Sequence, residues 1–296
     1  MKVSYLVPLY NKEDFIVECI ESILEEDTKE FEIEICIVDD GSTDNSLRLV
    51  TNKFGSNKHI KIASFPKNKG KNAACNKALE ISTGDYICLF GADDVVVSGR
   101  TVKLLEASIN NENKAAYGGL VAKNGDLTSE LYRALPKKPN LYSITIANSL
   151  SGGCCLIPRT LCMNIFPIPE NLRFEDWWIS YFLVKNNNVV IVDEYVTYYR
   201  IGIQNDCGFF GGDEFENIKK DYLRHFDYLN EFNKYTEDKY IEKAIDLRNA
   251  FCGRKLNRLF YFSPFDFVSI KIILYKVFGA RVLYKIKDFV SYLKNK

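Results

Sequence analysis

The chain has 296 residues, and 39 Lys or Arg balance 39 Asp or Glu, a zero formal charge that argues against a general nucleic-acid binder. Its 47% apolar content is that of an ordinary folded protein, and its length suits one sizeable α/β domain with a smaller appendage. Nine scattered cysteines without a C-x-x-C pair, and only His59 and His225, exclude a disulfide framework and a His-rich metal site and point to a reducing compartment.

Val3 to Val7 reads as a strand that ends at Pro8-Leu9-Tyr10-Asn11. Ile16, Ile20, Ile23 and Leu24 then recur at helical spacing, which predicts a helix from Lys12 to about Asp27. Ile33 to Val38 is a second strand and stops at Asp39-Asp40-Gly41-Ser42-Thr43-Asp44, where Ser42 or Thr43 is placed to cap a helix bearing Leu47, Val50 and Phe54. His59 to Phe65 is a third strand. Asn68-Lys69-Gly70-Lys71 leads into a helix with Ala74, Ala78 and Leu79, which ends near Gly84. Tyr86 to Phe90 is a short, almost wholly apolar run, the pattern of a central strand covered on both faces.

That run is followed by Gly91-Ala92-Asp93-Asp94. Small residues admit a ligand close to the backbone, and adjacent carboxylates suit a hard divalent cation; the bland reading is an acidic turn into the next helix. Four strands alternating with three helices in under a hundred residues form a parallel sheet of nucleotide-binding type, with right-handed crossovers. The loops Pro8 to Asn11, Asp39 to Ser42 and Gly91 to Asp94 should converge at its carboxyl rim, where ligands bind in such sheets.

Beyond lie a helix over Ser98 to Asn110, a strand over Ala115 to Ala122, and an irregular loop region from Lys123 to Pro139. Leu141 to Leu150 reads as helical, and Ser151-Gly152-Gly153 enters a strand running through Ile157. Phe174-Glu175-Asp176-Trp177-Trp178 opens a helix to about Lys185, with strand candidates at Val189 to Val192 and Tyr195 to Arg200. From about Asp213 the pattern is helical. No stretch of about 18 uncharged apolar residues occurs, and Met1 to Tyr10 turns polar too quickly for a signal peptide, so neither a membrane span nor a leader is expected.

Taken in order, Tyr5 to Asn11, Val38 to Asp44, Asn68-x-Gly70 with Asn76, Gly84 to Asp94, and Glu175-Asp176 resemble the family-2 glycosyltransferases of the GT-A fold. The resemblance covers about residues 1–200. It implies an α/β fold with a GT-A nucleotide-sugar-binding sheet flanked by helices, and a helical C-terminal extension. The catalytic domain would be residues 1–205, with a nucleotide-sugar half over 1–97 and an acceptor half over 98–205, and the extension 206–296. The implied activity is inverting transfer of a hexosyl or N-acetylhexosaminyl group. The sugar would leave a nucleotide-diphosphate sugar, by expectation a UDP-sugar, for a hydroxyl of a glycan or lipid-linked glycan in cell-surface polysaccharide synthesis.

Carried over residue by residue, Pro8 and Tyr10 lie at the nucleobase edge, Asp39 bonds the base with Asp40 beside it, and Asn11, Asn76 and Ala92 complete the donor site; the alternative for the two aspartates is helix capping before Ser42. Asp93, helped by Asp94, would hold Mn²⁺ or Mg²⁺ against the diphosphate. Asp176 would be the base, supported by Glu175; the alternative is that both acids merely begin a helix. Lys67, Lys69 and Lys71 read as a solvated charged face, with a position near the phosphates as the alternative. One of Trp177 and Trp178 is expected in the core, and the other could form a platform for a sugar ring.

The chain departs from the family at Gly91, where many relatives carry an aspartate, and at Ala74-Cys75-Asn76, where they often carry Ala-Arg-Asn. It also lacks the histidine that commonly follows Tyr199-Arg200. These departures motivate an alternative, a catalytically degenerate relative that binds nucleotide sugar without turnover. From Arg248 to Lys296, eleven Lys or Arg face only Asp266 and Asp288, interleaved with aromatics. That basic region suits either an anionic membrane surface or packing on the body. The expected location is cytoplasmic, with the inner face of the cell membrane as the alternative.

Overall fold

The computed structural model describes residues 1–26, 30–146, 148–203 and 227–252, and the chain divides into two compact units, Met1–Phe209 and Phe210–Lys296. The first unit opens with β1 (Lys2–Leu9), α1 (Ile16–Leu24), β2 (Glu32–Asp39), α2 (Ser46–Phe54), β3 (Ile60–Ser64), α3 (Lys71–Ile81) and β4 (Tyr86–Leu89). These strands are parallel in the order β3-β2-β1-β4. Their side chains explain the arrangement: β1 and β2 bury Val3, Tyr5, Val7, Ile33, Ile35 and Ile37, and α1 covers them with Ile16, Cys19, Ile20 and Ile23. An α/β sheet with nucleotide-binding topology is therefore present, as the alternation of apolar runs predicts.

The remainder of the unit comprises β5 (Val95–Val96), α4 (Arg100–Ile109), β6 (Ala115–Asn124), β7 (Glu130–Ala134), α5 (Leu141–Ile146), β8 (Cys155–Pro158), α6 (Arg159–Cys162), α7 (Glu175–Lys185) and β9 (Val189–Ile201). It extends the sheet through β4-β8-β6-β9-β5, with β7 pairing β6. Here β8 runs antiparallel to both β4 and β6, while β9 lies parallel to β6.

Three expectations change. Lys123 to Pro139 is not simply a loop: β6 runs on to Asn124 and pairs antiparallel with β7. All five β7 residues are exposed, so no alternation betrays the strand. The candidates at 189–192 and 195–200 are one strand, β9, whose pairing with β6 shifts register at Gly119. Ser42 and Thr43 do not cap α2. That helix begins at Ser46, whose N–H donates to Asp44 Oδ1 at 2.9 Å, because residues 42–44 are drawn to Asn11 instead.

A wholly buried cation joins the two halves of the sheet. Arg100, first residue of α4, donates to Tyr5 Oη (3.0 Å), Gly153 O (3.1 Å) and Cys155 O (3.0 Å), and lies 5.3 and 5.2 Å from the ring centres of Tyr5 and Phe90. Both Glu26 oxygens accept N–H bonds at the start of the same helix, from Gly99 (2.6 Å) and Thr101 (2.7 Å). The carboxylate thus takes up donors that the first turn leaves open and favours the positive helix end.

In the second unit, residues 227–236 are helical and α8 spans Lys239–Cys252; Leu229, Phe232 and Ile241 are buried. The stretch from 253 onward, with most of the basic aromatic region, lies outside the described residues. Among the described residues no helix is long and apolar enough to cross a membrane. Cys19, Cys36, Cys75, Cys88, Cys154, Cys155 and Cys162 are free thiols and buried, where a thiol packs as a small apolar group.

At the amino ends of the strands, Glu34 is buried and accepts from Ser4 Oγ (2.7 Å), Thr83 N (2.7 Å) and Thr83 Oγ1 (2.8 Å), and meets Lys61 Nζ at 2.6 Å. Burial alone would raise its pKa, but these partners outweigh burial and hold it at about 2 against an ordinary 4.5. A depressed folded-state pKa contributes stability above the unfolded value and loses it as pH falls. Glu34→Gln should therefore destabilise the protein at pH 7 by about 1 kcal/mol or more. In urea unfolding, the deficit should shrink as the pH is lowered from 5 to 3; a deficit independent of pH would contradict the assignment.

Candidate active site

The site grows from the carboxyl ends of β1, β2 and β4. Asn11, at φ 51°, donates its backbone N–H to Ser42 Oγ (3.0 Å), and its Oδ1 accepts from Thr43 N (2.8 Å). This pair of bonds ties the first loop to the second. Gly41 lets the second loop meet the third: at φ +70°, a Cβ there would lie 2.6 Å from the backbone carbon of Lys67. Lys12 beside the first loop reaches Asp93 of the turn after β4, so the three loops expected to converge do meet.

Asp39 and Asp40 have different roles. Asp40 accepts from the backbone N–H groups of Lys69 (2.7 Å) and Gly70 (2.9 Å), one on each oxygen, and so anchors the start of α3. Asp39 is buried, and only Oδ2 is engaged, by Ser42 N at 3.2 Å; Oδ1 has no protein partner. An unmet buried acceptor costs roughly 1–3 kcal/mol, so this oxygen is poised for an incoming N–H. Beside it, Pro8 is partly buried and Tyr10 is 42% exposed.

Asn76 is differently engaged from what the resemblance implies. Its Nδ2 donates to Ile168 O and its Oδ1 accepts from Ile168 N, both at 2.8 Å. With Asn72, which donates to Pro169 O (2.9 Å) and Leu172 O (2.6 Å), it fastens α3 to the segment that leads into α7.

The turn after β4 carries the acid pair. Ala92 is buried within it, and Asp94 N donates to Gly91 O at 3.2 Å. A Cβ on Gly91 would stand 2.8 Å from Asp94 Oδ2 and 3.0 Å from Asp93 Oδ1. Both carboxylates fold back over residue 91, so the position many relatives fill with an acid is here the room that the acid pair uses. Asp93 Oδ2 meets Lys12 Nζ at 2.7 Å. Asp94 Oδ1 accepts from Arg200 N at 3.2 Å, and burial, then the charge of Asp93, pushes its pKa well above the carboxylate range.

Arg200 secures this turn from β9, and it was not among the expected site residues. Its Nε donates to Asp93 O (2.6 Å) and Nη1 to Gly125 O (2.5 Å), Nη2 pairs with Glu18, and the guanidinium lies 5.0 Å from the Phe15 ring centre. The Tyr199-Arg200 dipeptide was the available signal, but its partners lie far away in the chain.

Across the rim, α7 begins with Glu175 and Asp176. Lys71 is exposed, as a solvated charged face requires, but its Nζ sits 2.5 Å from Glu175 Oε1, so it also pairs with a buried carboxylate. Lys69 also has a neighbour, the Phe65 ring at 4.5 Å. Burial and then the charge of Glu175 raise the Asp176 pKa, while Lys71 and the N–H groups of Trp177 and Gly152 lower it; the result is about 7 against 3.8. Gly152 permits this approach, since a Cβ there would lie 3.1 Å from Asp176 Cβ. The corresponding position on Gly153 is 3.6 Å from Asp94 Oδ2. One dipeptide therefore has Asp94 on one side and Asp176 on the other.

Both tryptophans belong to the core, against the expectation of a sugar platform. Trp177 and Trp178 are 2% and 7% exposed, and their indole N–H groups donate to Ile144 O (2.5 Å) and Ile165 O (2.9 Å). The first turn of α7 is buried almost all round, which leaves neither ring a free face.

The family model for "Glycosyl transferase family 2" matches residues 4–168, more than half of the chain. The chain is 33% identical over 176 residues to an uncharacterized glycosyltransferase of Haemophilus influenzae, across 59% of this chain and 68% of that protein. It is 24% identical to the Escherichia coli UDP-Glc:alpha-D-GlcNAc-diphosphoundecaprenol beta-1,3-glucosyltransferase WfgD, across 91% of this chain and 94% of that one. Among solved structures, the mannosyltransferase PcManGT of Pyrobaculum calidifontis, in complex with GDP-Man and Mn²⁺, superposes with a TM-score of 0.58. That superposition has 14% identity and covers 99% of this chain and 80% of that one. Other curated relatives share with the chain only 9% to 31% of their own length. The chain belongs to glycosyl transferase family 2, with the GT-A-like mixed sheet of that family.

A raised carboxyl has a thermodynamic signature. Its contribution to stability is full below the unfolded pKa and is lost as pH rises through the folded one. Asp176→Asn should therefore melt above the unmodified protein, with a gap that opens between about pH 4 and pH 7 and is constant beyond. Differential scanning fluorimetry across that range checks this; a variant less stable at pH 8 than at pH 5, relative to the parent, would contradict the raised pKa.

Proposed function

We propose that this chain is an inverting glycosyltransferase that moves a sugar from a UDP-sugar to a hydroxyl of a glycan or lipid-linked glycan. The observation that carries the reading is the Gly152–Gly153 dipeptide, which sets the acid pair of the β4 turn beside a carboxyl whose pKa lies near neutrality. A displacement at a sugar carbon needs those two functions within the span of one sugar unit.

Asp176 takes the proton of the acceptor hydroxyl. The freed oxygen lone pair forms the new bond to the anomeric carbon as the bond to the diphosphate oxygen breaks, and that electron pair leaves with the diphosphate. Attack from the face opposite the leaving group inverts the anomeric centre. A carboxyl near pKa 7 is ionised enough to act at neutral pH and basic enough to accept the proton.

Asp93 and Asp94 fit a hard cation. They are oxygen donors only, and the like charge that raises Asp94 is what such an ion relieves; no group of three or more metal-binding side chains occurs among the described residues. Mg²⁺ and Mn²⁺ commonly take one or two carboxylates and complete their shell with substrate phosphates. When bound, the ion neutralises the departing diphosphate. Arg200 and Gly91 hold the two carboxylates ready for it.

The unmet Asp39 Oδ1 supports a base that offers a ring N–H, uracil rather than cytosine. Uracil carries an N–H at position 3, whereas cytosine has a bare acceptor there. The donor and acceptor named for WfgD, a UDP-sugar and a diphosphoundecaprenol-linked sugar, are of the class proposed.

A thermal-shift panel of UDP, CDP and GDP, each with Mn²⁺, tests the donor reading. UDP should raise the melting temperature by several degrees and CDP by much less, and Asp39→Asn should weaken the UDP shift at least tenfold in midpoint concentration. Equal shifts by UDP and CDP would overturn the assignment of Asp39.

A further inference from the structure

We infer that Lys71 is a positioning residue for the transfer: its ammonium holds Glu175 so that Asp176 alone is left to accept the acceptor's proton. The inference rests on the proposed role of Asp176 as base and extends it to a residue on a different element of the fold.

Two adjacent carboxylates at the start of a helix repel each other, and without a cation the pair retains a proton. Lys71 supplies that cation. It is the first residue of α3, and its Nζ lies 2.5 Å from Glu175 Oε1. Its placement is fixed from behind, because Asp40 binds the N–H groups of Lys69 and Gly70 just ahead of it. On the facing side, Asn72 and Asn76 of the same helix hold the segment that precedes α7. Both ends of the ion pair are thus carried on elements stapled to one another, so the contact is a built one.

The other groups around the pair cannot replace Lys71. Cys75, one turn further along α3, feels the charges of both Glu175 and Lys71, but its buried thiol is pushed up to about 12 and stays neutral. Tyr117 of β6 faces Asp176 and is likewise held neutral by burial. Gly152 and Trp177 offer only backbone N–H groups. The Lys71 charge also reaches Asp94, on the other side of the Gly152–Gly153 dipeptide. One ammonium therefore acts on both halves of the site.

The test is the pH dependence of kcat/KM for UDP release from UDP-glucose or UDP-N-acetylglucosamine with Mn²⁺, using the full chain. Lys71→Met should move the acid limb upward by about one pH unit. Lys71→Arg should restore it. Glu175→Gln should move the limb downward, and the double variant Lys71→Met with Glu175→Gln should return it close to that of the unmodified protein. A merely structural lysine would lower the rate without moving the limb, and that result for Lys71→Met, while Asp176→Asn is inactive, would overturn the inference and leave the base intact. An Asp176→Asn variant that retains full turnover would instead overturn the assignment of the base on which the inference stands. Normal melting of Lys71→Arg and of the double variant separates these outcomes from a failure to fold.

Discussion

Six carboxylates, Asp39, Asp40, Asp93, Asp94, Glu175 and Asp176, gather at one rim of the sheet, and their mutual repulsion governs the local design. Two such charges about 5 Å apart repel by about 3 kcal/mol at an effective dielectric near 20, so a cluster of this kind cannot stand uncompensated. Each acid is met differently. Backbone N–H groups take Asp40; Lys12 takes Asp93; the N–H of Arg200 takes one oxygen of Asp94; Lys71 takes Glu175. What is left over is a buried oxygen on Asp39 and the raised carboxyl of Asp176. Those remainders are where the chemistry falls.

Compensation and architecture are the same set of contacts. Asp40 fixes the beginning of α3, α3 presents Lys71, and Lys71 reaches the beginning of α7, so the rim around Asp39 and Asp40 is connected to the rim around Asp176 by one helix. A second connection runs through β9. Its pairing with β5, Val95 opposite Tyr198, brings Arg200 over the acid turn, where it binds both a carbonyl and a carboxylate. Arg100 joins the same halves from beneath and holds Gly153, the residue against which Asp94 rests. The groups proposed to bind substrate and the proposed base therefore share a frame fixed by three cations.

The parallel half of the sheet could be read from the chain because each strand is a short apolar run and each loop begins with small or acidic residues. The same pattern sets Asp39, Asp93 and Asp94 at one rim, whereas Glu175 and Asp176 are singled out only by the family resemblance. What it could not convey depends on partners distant in the chain. Nothing in Lys67-Asn68-Lys69-Gly70-Lys71 distinguishes the one lysine that meets a carboxylate on α7. Asn76 matches a family position, yet its amide is engaged by Ile168. Gly91 reads as a missing acid until the two carboxylates are seen folded over it. The β7 strand has no buried face and hence no period to read. The tryptophans follow the commoner rule that a large indole is packed.

The stereochemistry of donor cleavage tests the central claim most directly, because it needs no knowledge of the natural acceptor. With water in place of the acceptor hydroxyl, ¹H NMR of UDP-glucose turnover with Mn²⁺ identifies which anomer is released before mutarotation. Activation of the nucleophile by Asp176, opposite the diphosphate, predicts β-glucose first from the α-linked donor. Release of α-glucose first would contradict the account.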